Sequence, residues 1–486
     1  MRRLLAAAAF GAIGLAAAPG FAQVPPAAPT TIAVGDWQLA PLVEVRTRGE
    51  YRRSPVDVGG APVVPAGTVA ASTGVVTDAW TGLERSRLGL GAEHGAVRAQ
   101  ITLQDAQAWG SIPPSAALVP GQSAAEVGQV GAYEAYIEVR TSDARPSFLR
   151  VGRQAVTWGE GRLISAADWS PAGRSLDAVR GRFARGPWQL ELLGAVLEAR
   201  QPLGAAFGDT AGPSTGGSEL AGLNASWTLD PLFKVELTGL ARLTQHGAAP
   251  PPAGSSRFDE ALASGETYVG SLLVSGEGRG WKYGAEGAYE LGRATTLTED
   301  RRAFAVAAHV SRTFDTLLLS PTLRLTGSYA SGDDGSSSTY KQFDPLLPDV
   351  HTWQGAMDIF AWSNEAEASA RLTVVPWTDT SLSAEYRFAE LAQASGDWLN
   401  AYLGVVGSAP GNSSTALGHE IDGFFTWRPW PVLGLLAGYS AFLLGDGARA
   451  VLASPAVGRG TLEANGTFSP PSVSHFAYLQ ATLTIP

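Results

Sequence analysis

The feature that most limits what this chain can fold into is a two-residue alternation of apolar and polar side chains that returns again and again without any fixed repeat unit. Trp37, Leu39, Pro41, Val43, Val45, Thr47 and Tyr51 alternate with Gln38, Glu44, Arg46, Arg48 and Glu50. Successive side chains of a strand point to opposite faces, so this is a sheet segment wet on one side only. Val97, Ala99, Ile101 and Leu103 do the same against Arg98, Gln100, Thr102 and Gln104, and Tyr133, Ala135, Ile137 and Val139 against Glu134, Tyr136, Glu138 and Arg140. Segments beginning near Phe233, Trp281, Ala368 and Leu382 follow suit. Each runs about nine to eleven residues, the length of a tilted strand crossing a bilayer, against about five or six for strands of soluble sheets.

Between the segments, tight turns such as Ala92 to Gly95 and Thr228 to Leu232 alternate with long Gly, Ser and Pro stretches at 54–80, 110–130, 200–219, 244–264, 330–353, 390–417 and 444–470. Tight turns at one end and large loops at the other are the marks of a closed meander in a membrane. A sheet facing lipid must close, because no water is there to satisfy an open edge. The candidate strands number about eighteen or nineteen, least definite around 165–225 and 355–365. An even count puts both chain ends on one side, and eighteen is the expectation.

Composition supports a wall facing lipid. Charged residues make up 16% and glycines number 58 of 486, against about 25% charge and about 7% glycine in ordinary soluble chains. The outer face is expected to hold Val, Leu, Ala, Tyr and Trp. Trp37, Tyr51, Trp188, Trp227, Trp281, Trp377, Trp427 and Trp430 sit at segment ends, as interfacial girdles do. A soluble, carbohydrate-binding β-sandwich explains the alternation but neither the low charge nor the segment length.

Residues 1–22, with Arg2 and Arg3 before the apolar run Leu4 to Ala18 and Gly20-Phe21-Ala22 at the end, have the parts of a secretory signal peptide. Residues 23–36 read as a flexible N-terminal segment and 37–486 as one barrel domain. Without Arg2 and Arg3 the 35 basic residues fall to 33 against 45 acidic, a formal charge of −12 that gives nucleic acid no general foothold. No cysteine is present to form a disulfide.

One stretch departs from plain alternation. Val151-Gly152-Arg153-Gln154, Trp158-Gly159, Arg162-Leu163, Asp168-Trp169-Ser170 and Gly173 to Asp177 resemble the central signature of the bacterial alginate export family of outer-membrane porins. Arg87 to Leu90, Gln104 to Gly110, Glu134 to Glu138, Gly327 to Asp334, Phe343 to Pro348, Gly355 to Asn364, Gly418 to Asp422 and Gly438 to Gly445 resemble further blocks of that family, in order over most of Trp37 to Thr484. The resemblance implies an eighteen-stranded barrel with a polar, arginine-lined conduit, and periplasmic secretion components as partners. One departure is the last segment, which ends on Pro486 where outer-membrane strands commonly end on an aromatic; Phe476 and Tyr478 are the candidates for that signal.

Strand phase nominates Arg46, Arg48, Arg85, Arg87, Arg98, Arg140, Arg153, Arg180, Arg182, Arg324, Arg371 and Arg387 as basic pore-lining residues, with Glu44, Glu134, Glu138, Glu385 and Asp422 as acidic counter-charges. Arginine is always charged and presents a fork of donors suited to carboxylates, while acidic neighbours keep each well shallow enough to leave. Arg162, Asp168, Arg174 and Asp177, close to Trp158 and Trp169, are expected in a loop network at a constriction.

Enzymatic chemistry finds no foothold: no local pattern selects an acid/base pair, the six histidines lack metal-ligand spacing, and no cofactor motif stands in its required context. The expected function is therefore an outer-membrane channel for passive export of an anionic exopolysaccharide, an alginate-like polyuronate, in contact with lipid and lipopolysaccharide. An uptake porin for small anionic or sugar solutes and a non-conducting surface adhesin or assembly barrel are the alternatives.

Overall fold

The computed structural model describes residues 30–54, 56, 78–110, 130–198, 217–244, 256–454, 461–462 and 468–485. The signal-peptide reading of 1–22 lies outside the described residues. Of the arm read over 23–36, Ile32–Val34 folds back as a short strand on Trp37–Leu39, so order begins ahead of Trp37.

The wall strands follow in chain order as β1 (Trp37–Arg53), β2 (Asp78–His94), β3 (Val97–Gly110), β4 (Val130–Arg140), β5 (Phe148–Gln154) and β6 (Leu176–Arg185). Then come β7 (Trp188–Glu198), β8 (Ser218–Asp230), β9 (Phe233–Thr244), β10 (Gly265–Gly278), β11 (Trp281–Ala294) and β12 (Glu299–Thr313). The wall is completed by β13 (Thr322–Ala330), β14 (Glu365–Val374), β15 (Thr380–Leu391), β16 (Ala416–Trp430), β17 (Leu433–Leu444) and β18 (Val473–Ile485). Each pairs antiparallel with its neighbours, and β18 pairs with β1 from Val43↔Ile485 to Arg53↔His475, closing an eighteen-stranded barrel. Lengths run from 7 residues in β5 to 17 in β1 and β2, a wider spread than the uniform nine to eleven expected.

The alternation sets the faces. Val97, Ile101 and Leu372 are 43, 49 and 48% exposed on the outside, so they meet the membrane and not a dry core. Trp188 and Trp227 stack at 5.5 Å beside the short turn 186–187, and Trp281, Trp377 and Trp430 stand exposed at the same end. Tyr51, Trp80 and Trp109 mark the opposite end. The start of β1 and the end of β18 lie on the short-turn side. On the long-loop side one connection, 295–298, is itself short.

The barrel is not hollow. The connection 155–175 between β5 and β6 and the connection 331–364 between β13 and β14 turn inward and meet along Ile164↔Leu347, with Ser165 N donating to Leu347 O at 2.9 Å. Trp158, Leu163, Ile164, Phe343, Leu347 and Trp362 pack on inward Leu176, Leu193, Leu220, Leu240 and Val269 of the wall. A second interior cluster joins Trp169, Val350, Ile359 and Phe360 to Trp398, Phe442, Phe476 and Tyr478. Phe476 and Tyr478 thus point into the barrel, 0 and 2% exposed, and present no aromatic on the outer face of β18. Residues 355–364 are likewise part of the inserted connection and not a strand.

Candidate functional site

Inward side chains meet the inserts on three stretches of wall. On β3 to β6 one row of register carries Arg98, Glu138, Arg150 and Arg180 on adjacent strands. Arg150 Nε and Nη2 donate to Glu138 Oε2 at 2.8 and 2.6 Å. Glu191 of β7 receives Arg180 Nε on one oxygen and Arg182 Nε on the other, both at 2.7 Å, and also accepts from Trp158 Nε1 at 2.8 Å. Arg140 pairs with Glu93. Arg98, 7% exposed, makes no hydrogen bond or ion-pair contact with a described residue.

On β1 and β2 the arginines grip the first insert. Arg85 joins Asp168 Oδ1 at 2.8 Å and Glu44 Oε1 at 2.5 Å, and Arg87 reaches Asp168 Oδ1 at 3.1 Å. Arg46 donates to the carbonyls of Asp168 and Ser170 at 2.5 and 2.8 Å, while Arg48 lies 3.7 Å over the ring of Trp169. Burial by itself pushes the Asp168 carboxyl up, but Arg85, Arg87 and Arg46 outweigh it and hold the group well below the usual carboxylate range. Arg174 ties the two inserts together through the carbonyls of Ser165, Leu347 and Pro348 at 2.8, 2.5 and 3.2 Å, and burial lowers its guanidinium to about 9.

The third stretch spans β11 to β16. Arg371 Nε donates to Glu385 Oε2 at 2.5 Å, and Arg387 bridges Glu385 and Glu367. Asp422 stands buried opposite Glu385 in the register. Arg324 lies 4.8 Å and Arg162 3.9 Å from the ring of Trp353, whose Nε1 donates to Glu160 O at 2.8 Å. Glu160 also meets His309 Nε2 at 2.7 Å. Burial raises its carboxyl, but that bond and the imidazole charge bring the balance below the usual value.

The nominated residues divide by face. Glu134 and the other nominated wall residues above turn inward. Arg153 and Asp177 do not: Arg153 shares the phase of outward Leu149 and Val151, Gln154 takes the inward place, and Arg153 and Asp177 stand 3.8 Å apart on the membrane side. Both are corrected from lumen and constriction to outer wall. Sequence reasoning missed Arg150, Arg52, Arg242 and Arg301, which face inward to Glu138, Glu50, Asp344 and Glu290. Strand phase alone would have found Arg150, two residues from Phe148 and opposite in phase to Leu149.

A family model described as alginate export matches residues 71–456. No curated protein matches the chain. Similar solved structures include Acinetobacter baumannii OccAB2, at 12% identity, with 92% of this chain and 98% of that chain covered and a TM-score of 0.51. Pseudomonas aeruginosa OccK9 (OpdG) is similar at 11% identity, with 92 and 98% covered and a TM-score of 0.54. These are substrate-specific uptake porins, not enzymes and not alginate exporters, and that finding overturns the expected export of an anionic polysaccharide. Inside the barrel, Arg46, Arg85 and Arg87 are bound to the first insert, and Arg371 and Arg387 to wall carboxylates. The protein is a multi-spanning outer-membrane barrel, and by the match over 71–456 it belongs to the alginate export family.

Proposed function

We propose that this barrel is a passive uptake porin for small anionic solutes. The observation that carries the reading is the row Arg98, Glu138, Arg150, Arg180 on one inward wall, with Arg98 left without a counter-ion contact among the described residues. Carboxylates next to the remaining arginines temper each well, which favours passage over trapping. The inserts 155–175 and 331–364 narrow the path, which supports a small solute. Periplasmic secretion components, tied to the export reading, have no part in this one.

Planar-bilayer recording tests the proposal. Under a salt gradient the reversal potential is expected to report anion preference, and Arg98→Gln is expected to weaken that preference about two- to fivefold, the worth of roughly 1 kcal/mol from one charge in water. Cation preference would overturn the reading, and absence of current would favour a non-conducting surface barrel.

A further inference from the structure

The geometry points to a binding site for an anionic phospholipid of the periplasmic leaflet on the outer wall at β10 to β12. Its phosphodiester headgroup lies between Arg279 and Arg312, and an acyl chain follows a trough along the wall to Gly287. Short turns face the periplasm in outer-membrane barrels, and the turn 279–280 is one of them. Beside it the outer wall is hollowed by about 590 Å³, lined by Leu232, Trp281, Tyr283 and Val310, with Arg279 and Arg312 at its turn end. Trp281 is 50% exposed and belongs to the aromatic girdle at this end, so the hollow opens at the level of lipid headgroups.

The turn itself sets the two guanidiniums side by side. Arg279 and Gly280 form a two-residue hairpin loop between Gly278 and Trp281, with φ of 52 and 78°. Such a loop favours asparagine or glycine at its first place, so an arginine there goes against local preference. Arg312, opposite Trp281 in the register, donates through Nη1 to Arg279 O and lies 5.1 Å from the Trp281 ring and 5.8 Å from that of Phe314. No carboxylate pairs with either arginine among the described residues, and the neighbouring Glu277 is engaged by Lys282 Nζ at 3.2 Å. Ring faces steady a cation but accept none of its N–H bonds, which are matched by phosphate oxygens.

Farther along the same face the outward residues become small. Ala285 opposes Ala308 and Gly287 opposes Val306, and a second hollow of about 710 Å³ opens over Gly239, Gly270 and Gly287, bounded by Tyr289 and Phe304. A Cβ on Gly239 or Gly270 would meet nothing within 4 Å, so the space is open to what lies outside the wall. The six steps from Trp281 to Gly287 span roughly 20 Å of strand, or about 14 Å of depth at a 45° tilt, close to one leaflet of a ~30 Å hydrocarbon core. A chain anchored at the arginines therefore reaches the second hollow. The adjoining turn 314–321 adds Leu317, Leu318 and Leu319, 56, 88 and 40% exposed, an apolar surface suited to lipid. A second copy docked on this face about a twofold axis would bring the same arginines against each other, whereas a lipid phosphate neutralises them.

Native mass spectrometry of the detergent-purified full chain, given equal phosphatidylglycerol and phosphatidylcholine with identical chains, tests the site. The barrel is expected to retain phosphatidylglycerol about tenfold more often than phosphatidylcholine, and Arg279→Gln with Arg312→Gln should bring that ratio to about twofold or less. Arg145→Gln with Arg185→Gln removes two exposed charges from the same rim away from the hollow and should leave the ratio as it was. Gly287→Leu fills the trough and should lower retention of both lipids about threefold, the worth of roughly one buried methylene. Should the double variant at the hollow not assemble, Arg279→Gln alone keeps the hydrogen bond to the Arg279 carbonyl and should cut the ratio about threefold. Equal retention of the two lipids by the unaltered chain would overturn the proposal. So would a ratio untouched by loss of the two guanidiniums, an equal fall in the rim control, or full retention in Gly287→Leu.

Discussion

Asp168 is the residue on which the first insert turns. One carboxylate, 16% exposed, faces Arg46, Arg85 and Arg87 from two neighbouring strands. Because its folded value is depressed, its contribution is present above the ordinary carboxylate value of about 3.9 and is lost only as pH falls through the lowered folded one, so the insert should stay docked in mild acid. Asp168→Asn leaves three guanidiniums without that charge and is expected to loosen the insert by on the order of 3–5 kcal/mol. Single-channel recording at pH 7 should then show a larger, noisier open state, and limited proteolysis should cut within 155–175; conductance and cleavage equal to the unaltered protein would refute it. Arg46, Arg85 and Arg87 were legible in the sequence because alternation fixes the face of a residue within a regular strand. Arg153 is misplaced by the same rule, since a one-residue phase error at β5 moves a side chain from water to membrane, and Asp177 because the loop reading ran on into β6, which begins at Leu176. The stacking of Arg162 lay beyond sequence reasoning, since it depends on Trp353, nearly two hundred residues away, occupying its face.

At the scale of elements, the weak stretches of the sequence have a physical cause. Along β6 to β9, Leu176, Leu193, Leu220 and Leu240 face inward to an apolar insert while Val179, Leu192, Leu223 and Leu237 face lipid. With both faces apolar the alternation fades, and only the turns remain to mark strand limits. Wall glycines show where the insert lands. A Cβ at Gly284 would come within 2.4 Å of Glu160 Oε1 and 2.6 Å of His309 Nε2, and one at Gly222 within 2.7 Å of the Trp158 ring. Bulk at either site is therefore expected to lift the insert without opening the sheet, since backbone pairing on both sides of Gly284 is unbroken. Gly284→Val should cost about 1–3 kcal/mol, as overpacking does. It should raise open conductance while the protein keeps the compact, heat-shifted band of a closed barrel in gel electrophoresis. Unchanged conductance would show that Glu160 does not hold the insert against this wall.

For the whole molecule, closure and side are one problem. Eighteen strands bring the start of β1 and the end of β18 to the short-turn end, which in outer-membrane barrels faces the periplasm, and place the roots of the long connections at the opposite end. The count was legible because short and long connections alternate, with 295–298 as the single short link on the long-loop side. The sequence already pointed to a loop network at a constriction around Arg162, Asp168 and Arg174; what it left hidden is that the connection 331–364 joins that loop inside the barrel, a choice made by packing between segments far apart in the chain. The orientation has a clean test, since the chain contains no cysteine and any introduced thiol reports alone. Asp334, exposed on the long-loop side, and Asp315, exposed in the turn 314–321, mark opposite ends of the barrel. In intact cells a membrane-impermeant maleimide should label Asp334→Cys and spare Asp315→Cys, which should react only after the outer membrane is breached. The reverse pattern would put the inserts' entry on the periplasmic side and turn the path from uptake toward release.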